Sequence, residues 1–229
     1  MFLNDAIVVV FWAYLFSRFP VAPGYTPGDY MLLFGAGAFS IGLPRLLFGN
    51  AEHMGDWISD GGVDTYLVLP KPIALHYSCS RCNFHAFGDV TFGVVLFFLV
   101  RGLDPRGFLL FCMLGVLGGL VYHGFEVAVH SLAFWLGQVK LISQQAMGGL
   151  ILFATYPFSI FEGFIRVILF TIIPSAYLAG VPVEVLTHFS WFGVGVMILG
   201  AAGALSIGYG LFYWGLRRYE SGSAITIRL

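Results

Sequence analysis

The sequence predicts an all-α, polytopic membrane protein with six transmembrane helices and re-entrant helices between the fifth and sixth spans. Three observations lead there. The 229 residues are 59% hydrophobic and only 10% charged, whereas roughly a quarter of the residues in a soluble domain are charged. The apolar residues collect in long runs, and a helical span needs about 20 of them. The 11 basic and 12 acidic side chains are too few to clothe a water-facing surface, which excludes a soluble enzyme and a disordered chain. A net charge of -1 with no basic stripe excludes a nucleic-acid partner. Three cysteines make no disulfide framework. The N-terminus also lacks the basic n-region and small-residue cleavage site of a cleavable signal.

The elements follow in chain order. A first apolar run, Phe2 to Phe19, ends at Pro20, and Pro20 to Gly28 reads as a loop. The second span, Tyr30 to Phe48, carries Gly35, Gly37 and Gly42 for close helix approach. Its Pro44-Arg45 pair should bend it and set a cation near an interface. Residues 50–83 hold no long apolar run and form the largest hydrophilic segment. The third span is Phe84 to Val100 and the fourth is Phe108 to Leu136, long enough either to tilt or to extend past the bilayer. Ala146 to Leu178 is too long for one span and too short for two, and Tyr156-Pro157 and Pro174 divide it. One span followed by re-entrant helices over residues 158–184 fits, provided protein or a cavity surrounds the irregular backbone. The last span runs from Phe189 to Leu216 and ends at Arg217-Arg218.

Charge sets the expected orientation. With both termini inside, the cytoplasmic side receives seven basic residues: Arg45, Lys71, Arg81, Lys140, Arg217, Arg218 and Arg228. The other side receives four, Arg18, Arg101, Arg106 and Arg166. The positive-inside rule therefore favours cytoplasmic termini in a cell (inner or plasma) membrane, with segment 50–83 in the cytosol. No internal repeat supports a carrier built of inverted halves.

Within segment 50–83, Trp57 and Ile58 lie between Asp56 and Asp60 and are closed by Gly61-Gly62. They read as a short amphipathic helix with a stop. Val63, Asp64, Tyr66 and Leu67 open a second short element that ends before Pro70. A surface loop at the headgroups is the plain reading, and a docking helix for a cytosolic partner is the functional one.

The order Ile58, Gly61, Val63, Asp64, Leu67, Pro70 resembles the type-2 ABC exporter permeases, in particular the viologen- and drug-export branch. There the pattern is Ile-x-x-Gly-x-Leu-Asp-x-x-Leu-x-x-Pro, and Val63 replaces the usual Leu. Gly24-Tyr25-Thr26 matches that family's Gly-Trp-Ser-like start of the second span, and Phe134-Trp135 matches its Phe-Trp at the end of the fourth. Tyr156-Pro157, Arg166, Pro174, Pro182 and Tyr219-Glu220-Ser221 follow in the family's order. The family usually carries a longer cytoplasmic stretch before the first span. The resemblance implies one permease domain over residues 1–229, acting with a second identical or homologous permease chain in the bilayer. It also implies an ATP-binding cassette ATPase docked on Asp56 to Pro70. No Gly-x-x-x-x-Gly-Lys-[Ser/Thr] occurs in the chain. No cofactor is therefore expected on it, and ATP and Mg are expected on the partner.

Three other constellations carry chemistry. His76, Cys79, Cys82 and His85 form a Cys2His2 set. Spaced by threes on a helix, they smear over about half its circumference and cannot readily surround one ion. His123, Glu126 and His130 share one face of the fourth span. Such groups point inward, as a polar stripe toward the pathway or as a metal or proton site. Those alternatives make an intramembrane metalloenzyme or a proton-coupled carrier. Asp89, one turn inside the third span, is a further pathway candidate. Glu162 and Arg166 stand at i, i+4 in acid-before-base order and suggest a structural ion pair. The abundance of aromatic residues, 17%, suits an amphipathic or apolar substrate.

Overall fold

A computed structural model describes residues 7, 10, 14, 25–157 and 160–219. Every regular element among them is helical. The expected first span, Phe2 to Phe19, lies outside the described residues except for Ile7, Val10 and Tyr14, which are helical and exposed.

Helix α1 is Pro27–Leu47. It starts earlier than expected because Thr26 caps it. The Thr26 hydroxyl accepts from the Asp29 N–H (3.3 Å), while the Asp29 carboxylate accepts from the Thr26 N–H (2.8 Å). This capping box makes Pro27 an N1 residue rather than part of a loop. A 3-10 turn, Ala51–His53, leads into α2 (Met54–Ser59), α3 (Asp64–Leu67) and α4 (Ile73–Ser78). Helix α5 (Phe87–Arg101) follows a second 3-10 turn, Phe84–Ala86. Helix α6 (Pro105–Ser131) begins at Asp104, whose carboxylate accepts from the Gly107 N–H (3.0 Å). Short α7 (Ala133–Leu136) extends it, and α8 is Lys140–Ala154. Helices α9 (Gly163–Thr171) and α10 (Gly180–Thr187) flank a 3-10 turn, Ser175–Tyr177. The last helix, α11, is Trp191–Leu216, capped by the Ser190 hydroxyl.

Four stretches are long and apolar enough to cross a membrane: Pro27–Leu47, Phe84–Arg101, Pro105–Leu136 and Trp191–Leu216. A fifth exists if the pair Gly163–Thr171 and Ser175–Thr187, bent by 75°, counts as one broken span. Of the six expected spans the first lies outside the described residues, and the described ones hold four or five. The block expected to supply the fifth is divided differently. Helix α8 starts in the polar patch, at Lys140, and stops at Ala154. Its 15 residues reach only about 22 Å, short of a roughly 30 Å hydrocarbon core.

The bundle is held by close backbone approach. A Cβ on Gly42 of α1 would stand 2.8 Å from the Asp89 Cβ and 3.0 Å from the Val90 nitrogen of α5. Helices α6 and α11 come together at Gly124 and Gly208, where a Cβ on Gly124 would lie 2.5 Å from the Ala204 carbonyl carbon. Between these contacts Leu33, Phe39, Phe97, Phe111 and Leu114 fill the core. Where lipid supplies no hydrophobic drive between helices, such contact supplies the association. At the far end from segment 50–83, the Arg101 guanidinium donates to the Leu186 carbonyl, tying the end of α5 to α10.

Candidate functional site

Segment 50–83 has an inner face built into the bundle. Met54, Ile58, Val63, Ala74 and Tyr77 are buried and pack with Val127, Ala133 and Phe212 of α6, α7 and α11. Trp57 stacks on Tyr77 with ring centroids 3.9 Å apart and meets Tyr66 edge-on at 5.3 Å. Burial, then Tyr66 and Asp56 nearby, push the Tyr77 phenol from 10 to about 12. The stop after α2 forms as the composition suggests, with Gly61 at φ 76.

Hydrogen bonds pin the segment at separate points. The Gly55 N–H donates to His130 Nδ1 (3.3 Å), so that nitrogen carries no proton. The Ser59 hydroxyl donates to the Gly137 carbonyl (2.8 Å), and the Tyr219 hydroxyl to the Gly61 carbonyl (2.9 Å). The Asn50 N–H and side-chain amide reach the Ser78 carbonyl (3.3 Å) and the Ser80 hydroxyl (2.8 Å).

The outer face is apolar and exposed. Leu67 is 46% exposed, Val68 81% and Leu69 40%, followed by exposed Pro70. Of the residues expected to meet a partner, Ile58 and Val63 are buried in the chain itself and Trp57 is half-buried. Asp60 and Leu67 face outward, Asp64 sits in the first turn of α3, and Gly62 packs on the Trp57 ring. Val68 and Leu69 were passed over. Their signal was an apolar Leu-Val-Leu run set directly before Pro70.

Below the segment, α1, α2, α6 and α8 enclose a cavity of about 490 Å³. Tyr122, Glu126 and His130 line one wall at i, i+4 and i+8 of α6. Lys140, Ser143, Met147, Gly148 and Ile151 line another, along one stripe of α8. Arg45 and Glu52 face each other at 3.5 Å, and Lys140 and Asp56 at 3.8 Å.

The predicted trio His123, Glu126 and His130 does not converge. His123 turns to α11 and to the end of α1, with Nε2 2.9 Å from the Tyr209 hydroxyl and its ring 4.2 Å from Phe48. Glu126 and His130 face the cavity beside Tyr122 instead, which stands one turn before Glu126 on the same face. Asp89 is buried where α5 meets Gly42 of α1. Among the described residues no three His, Cys, Asp or Glu side chains stand in a metal-holding group. His76, Cys79, Cys82 and His85 are not on one helix, since α4 ends at Ser78 and a turn follows. Burial and the neighbouring Cys82 raise the Cys79 thiol above its usual range. Glu162 is the N-cap of α9, with φ -123 and ψ 161, and Arg166 lies inside that helix.

No curated protein and no solved structure matches the chain. A family model described as "ABC-2 family transporter protein" matches residues 2–223. With helices of spanning length, a match over nearly the whole chain places it: the chain is a multi-pass membrane permease that belongs to the ABC-2 transporter family.

Proposed function

We propose that this chain is the transmembrane subunit of an ATP-driven exporter. In this reading it forms the pathway with a second identical or homologous permease chain. Energy comes from a separate ATP-binding cassette ATPase, which binds the ATP and Mg. Residues 1–229 act as one permease domain in the cell membrane, with segment 50–83 and both termini in the cytoplasm. The observation that carries the proposal is the two-faced build of that segment. Leu67, Val68 and Leu69 are exposed, while Ile58 and Val63 behind them rest on α6 and α11.

A soluble partner that grips the outer face moves the inner face with it. Val63 is 0% exposed, and with Ile58 it packs in one cluster with Val127 and Phe212. A displacement of α3 therefore reaches two long helices at once. ATP then shifts the inward–outward equilibrium by fitting the docked segment better in one state than in the other. Asp56, Trp57, Ile58, Asp60, Gly61, Gly62, Val63, Asp64, Leu67 and Pro70 serve as the coupling set. The buried members transmit and the exposed members contact. The abundance of aromatic residues, 17%, suits an amphipathic or apolar substrate.

The test is co-purification from native membranes followed by reconstitution in vesicles. An ATPase subunit should accompany the chain, and substrate movement should require ATP. Transport driven by a pH gradient alone, with no ATPase present, would overturn the proposal and favour a proton-coupled carrier.

A further inference from the structure

The cavity beneath segment 50–83 has a carboxylate that its walls hold only loosely. Arg45, Lys140, His53 and His130 line it with three acids; Arg45 and His53 stand against Glu52, and Lys140 against Asp56. Glu126 remains. Its side chain is 5% exposed, and the one ring nitrogen facing it is His123 Nδ1 at 3.9 Å, which makes no other hydrogen bond. At 3.9 Å that contact is longer than a full hydrogen bond, and the rest of the Glu126 carboxylate opens into the cavity. A buried carboxylate in that position is costly unless something that enters the cavity supplies donors.

The surroundings narrow what that is. The Tyr122 hydroxyl, on a residue 3% exposed, stands one turn from Glu126 on the same wall and adds an acceptor. Below Lys140 the α8 wall carries no charge and ends in Met147, Gly148 and Ile151. From Lys140 to Ile151 it runs about 16 Å along the helix. A space of about 490 Å³ is far larger than one inorganic ion needs, and no third ligand stands near Glu126 to hold a metal.

We propose that this cavity binds an amphiphile bearing a primary ammonium group. The ammonium N–H groups donate to the Glu126 carboxylate and the Tyr122 hydroxyl, and the apolar part lies along Met147, Gly148 and Ile151. A primary ammonium offers three donors, which a quaternary headgroup lacks. Such a molecule comes either from the bilayer, as an ethanolamine phospholipid, or from outside it, as a single-chain amine. The inference rests on the membrane embedding of the chain and not on its coupling to an ATPase.

The test uses the purified chain in phosphatidylcholine nanodiscs with no ATPase present, so its failure leaves the exporter reading untouched. Dodecylamine and phosphatidylethanolamine are added separately, and bound molecules are counted by native mass spectrometry. Glu126→Gln lowers dodecylamine affinity at least tenfold and Tyr122→Phe about threefold, while dodecanol binds the wild type and Glu126→Gln equally weakly. Competition by phosphatidylethanolamine assigns the site to a bilayer lipid, and its absence to a single-chain amine. Equal dodecylamine affinity in the wild type and Glu126→Gln overturns the proposal, as does dodecanol binding as tightly as the amine. Where Glu126→Gln fails to fold, unchanged affinity in Tyr122→Phe overturns it alone.

Discussion

The helix bundle and segment 50–83 are both fastened to α6, but by different chemistry. In the bundle, α6 meets α11 mainly through close backbone approach, Gly124 against Ala204 and Gly208, with the His123–Tyr209 hydrogen bond beside it. In the segment, it holds α2 through one side-chain hydrogen bond, from Gly55 to His130, and an apolar cluster around Val127. Backbone contact tolerates no added atom and leaves no freedom to slide. A side-chain contact can break and re-form. The bundle is therefore suited to move as a body and the segment to change its seat upon it.

Substitutions probe that difference. The largest effect belongs to the bundle: Gly124→Leu drives a side chain into the α11 backbone, and overpacking of this kind costs roughly 3 kcal/mol. A collapse of the monodisperse peak in detergent, with a melting temperature too low to measure, is the expected result. A near-normal melt would show that α6 and α11 can separate freely.

Next comes the joint between the regions. His130→Ala leaves the buried Gly55 N–H without an acceptor, which costs about 1–3 kcal/mol. If the regions are distinct, limited proteolysis within residues 50–83 accelerates while the bundle's melting temperature hardly moves. Equal loss in both would merge them into one cooperative unit.

A smaller effect depends on pH. The Tyr77 phenol is raised from 10 to about 12. In that window the unfolded chain has released a proton that the folded segment keeps. Stability of the segment is then constant below about pH 10 and falls as pH rises toward 12. Tyr77→Phe should flatten this fall, read by protease resistance of the segment against pH.

The smallest effect on folding should come from the outer face. Val68→Asp changes stability by less than about 0.5 kcal/mol, as exposed substitutions do. It should nonetheless abolish stimulation of the partner ATPase. Retained stimulation in a Leu67→Asp, Val68→Asp double variant would remove the docking role from this surface.

Much of the framework was legible because it rests on local rules. Thr26 and Asp29 announce the start of α1, Asp104-Pro105 that of α6, and Gly61 the end of α2. Pro27 falls in the expected loop by composition but stands at N1, where proline begins helices, as Pro105 does in α6. The division of the Ala146–Leu178 block was harder. Lys140, Ser143 and Gln144 are polar yet helical, because a cavity rather than lipid faces them. The direction of Ile58 and Val63 was not legible either. Segment 50–83 is amphipathic in both directions, and only contact with Phe212, far along the chain, decides which face turns inward. The family resemblance supplied the coupling segment. The cavity depended on Tyr122, Glu126, Arg45 and Lys140, which come from separate helices and share no motif.

One bond has a biosynthetic consequence. The Tyr219 hydroxyl meets the Gly61 carbonyl across 158 positions of sequence. At roughly 5–20 residues per second, a ribosome makes the turn at Gly61 many seconds before its partner tyrosine exists. Segment 50–83 therefore waits through most of translation without its last fastening. A chain cut short before Tyr219 lacks it permanently, and its loosened turn gives a protease a place to tell unfinished copies from finished ones.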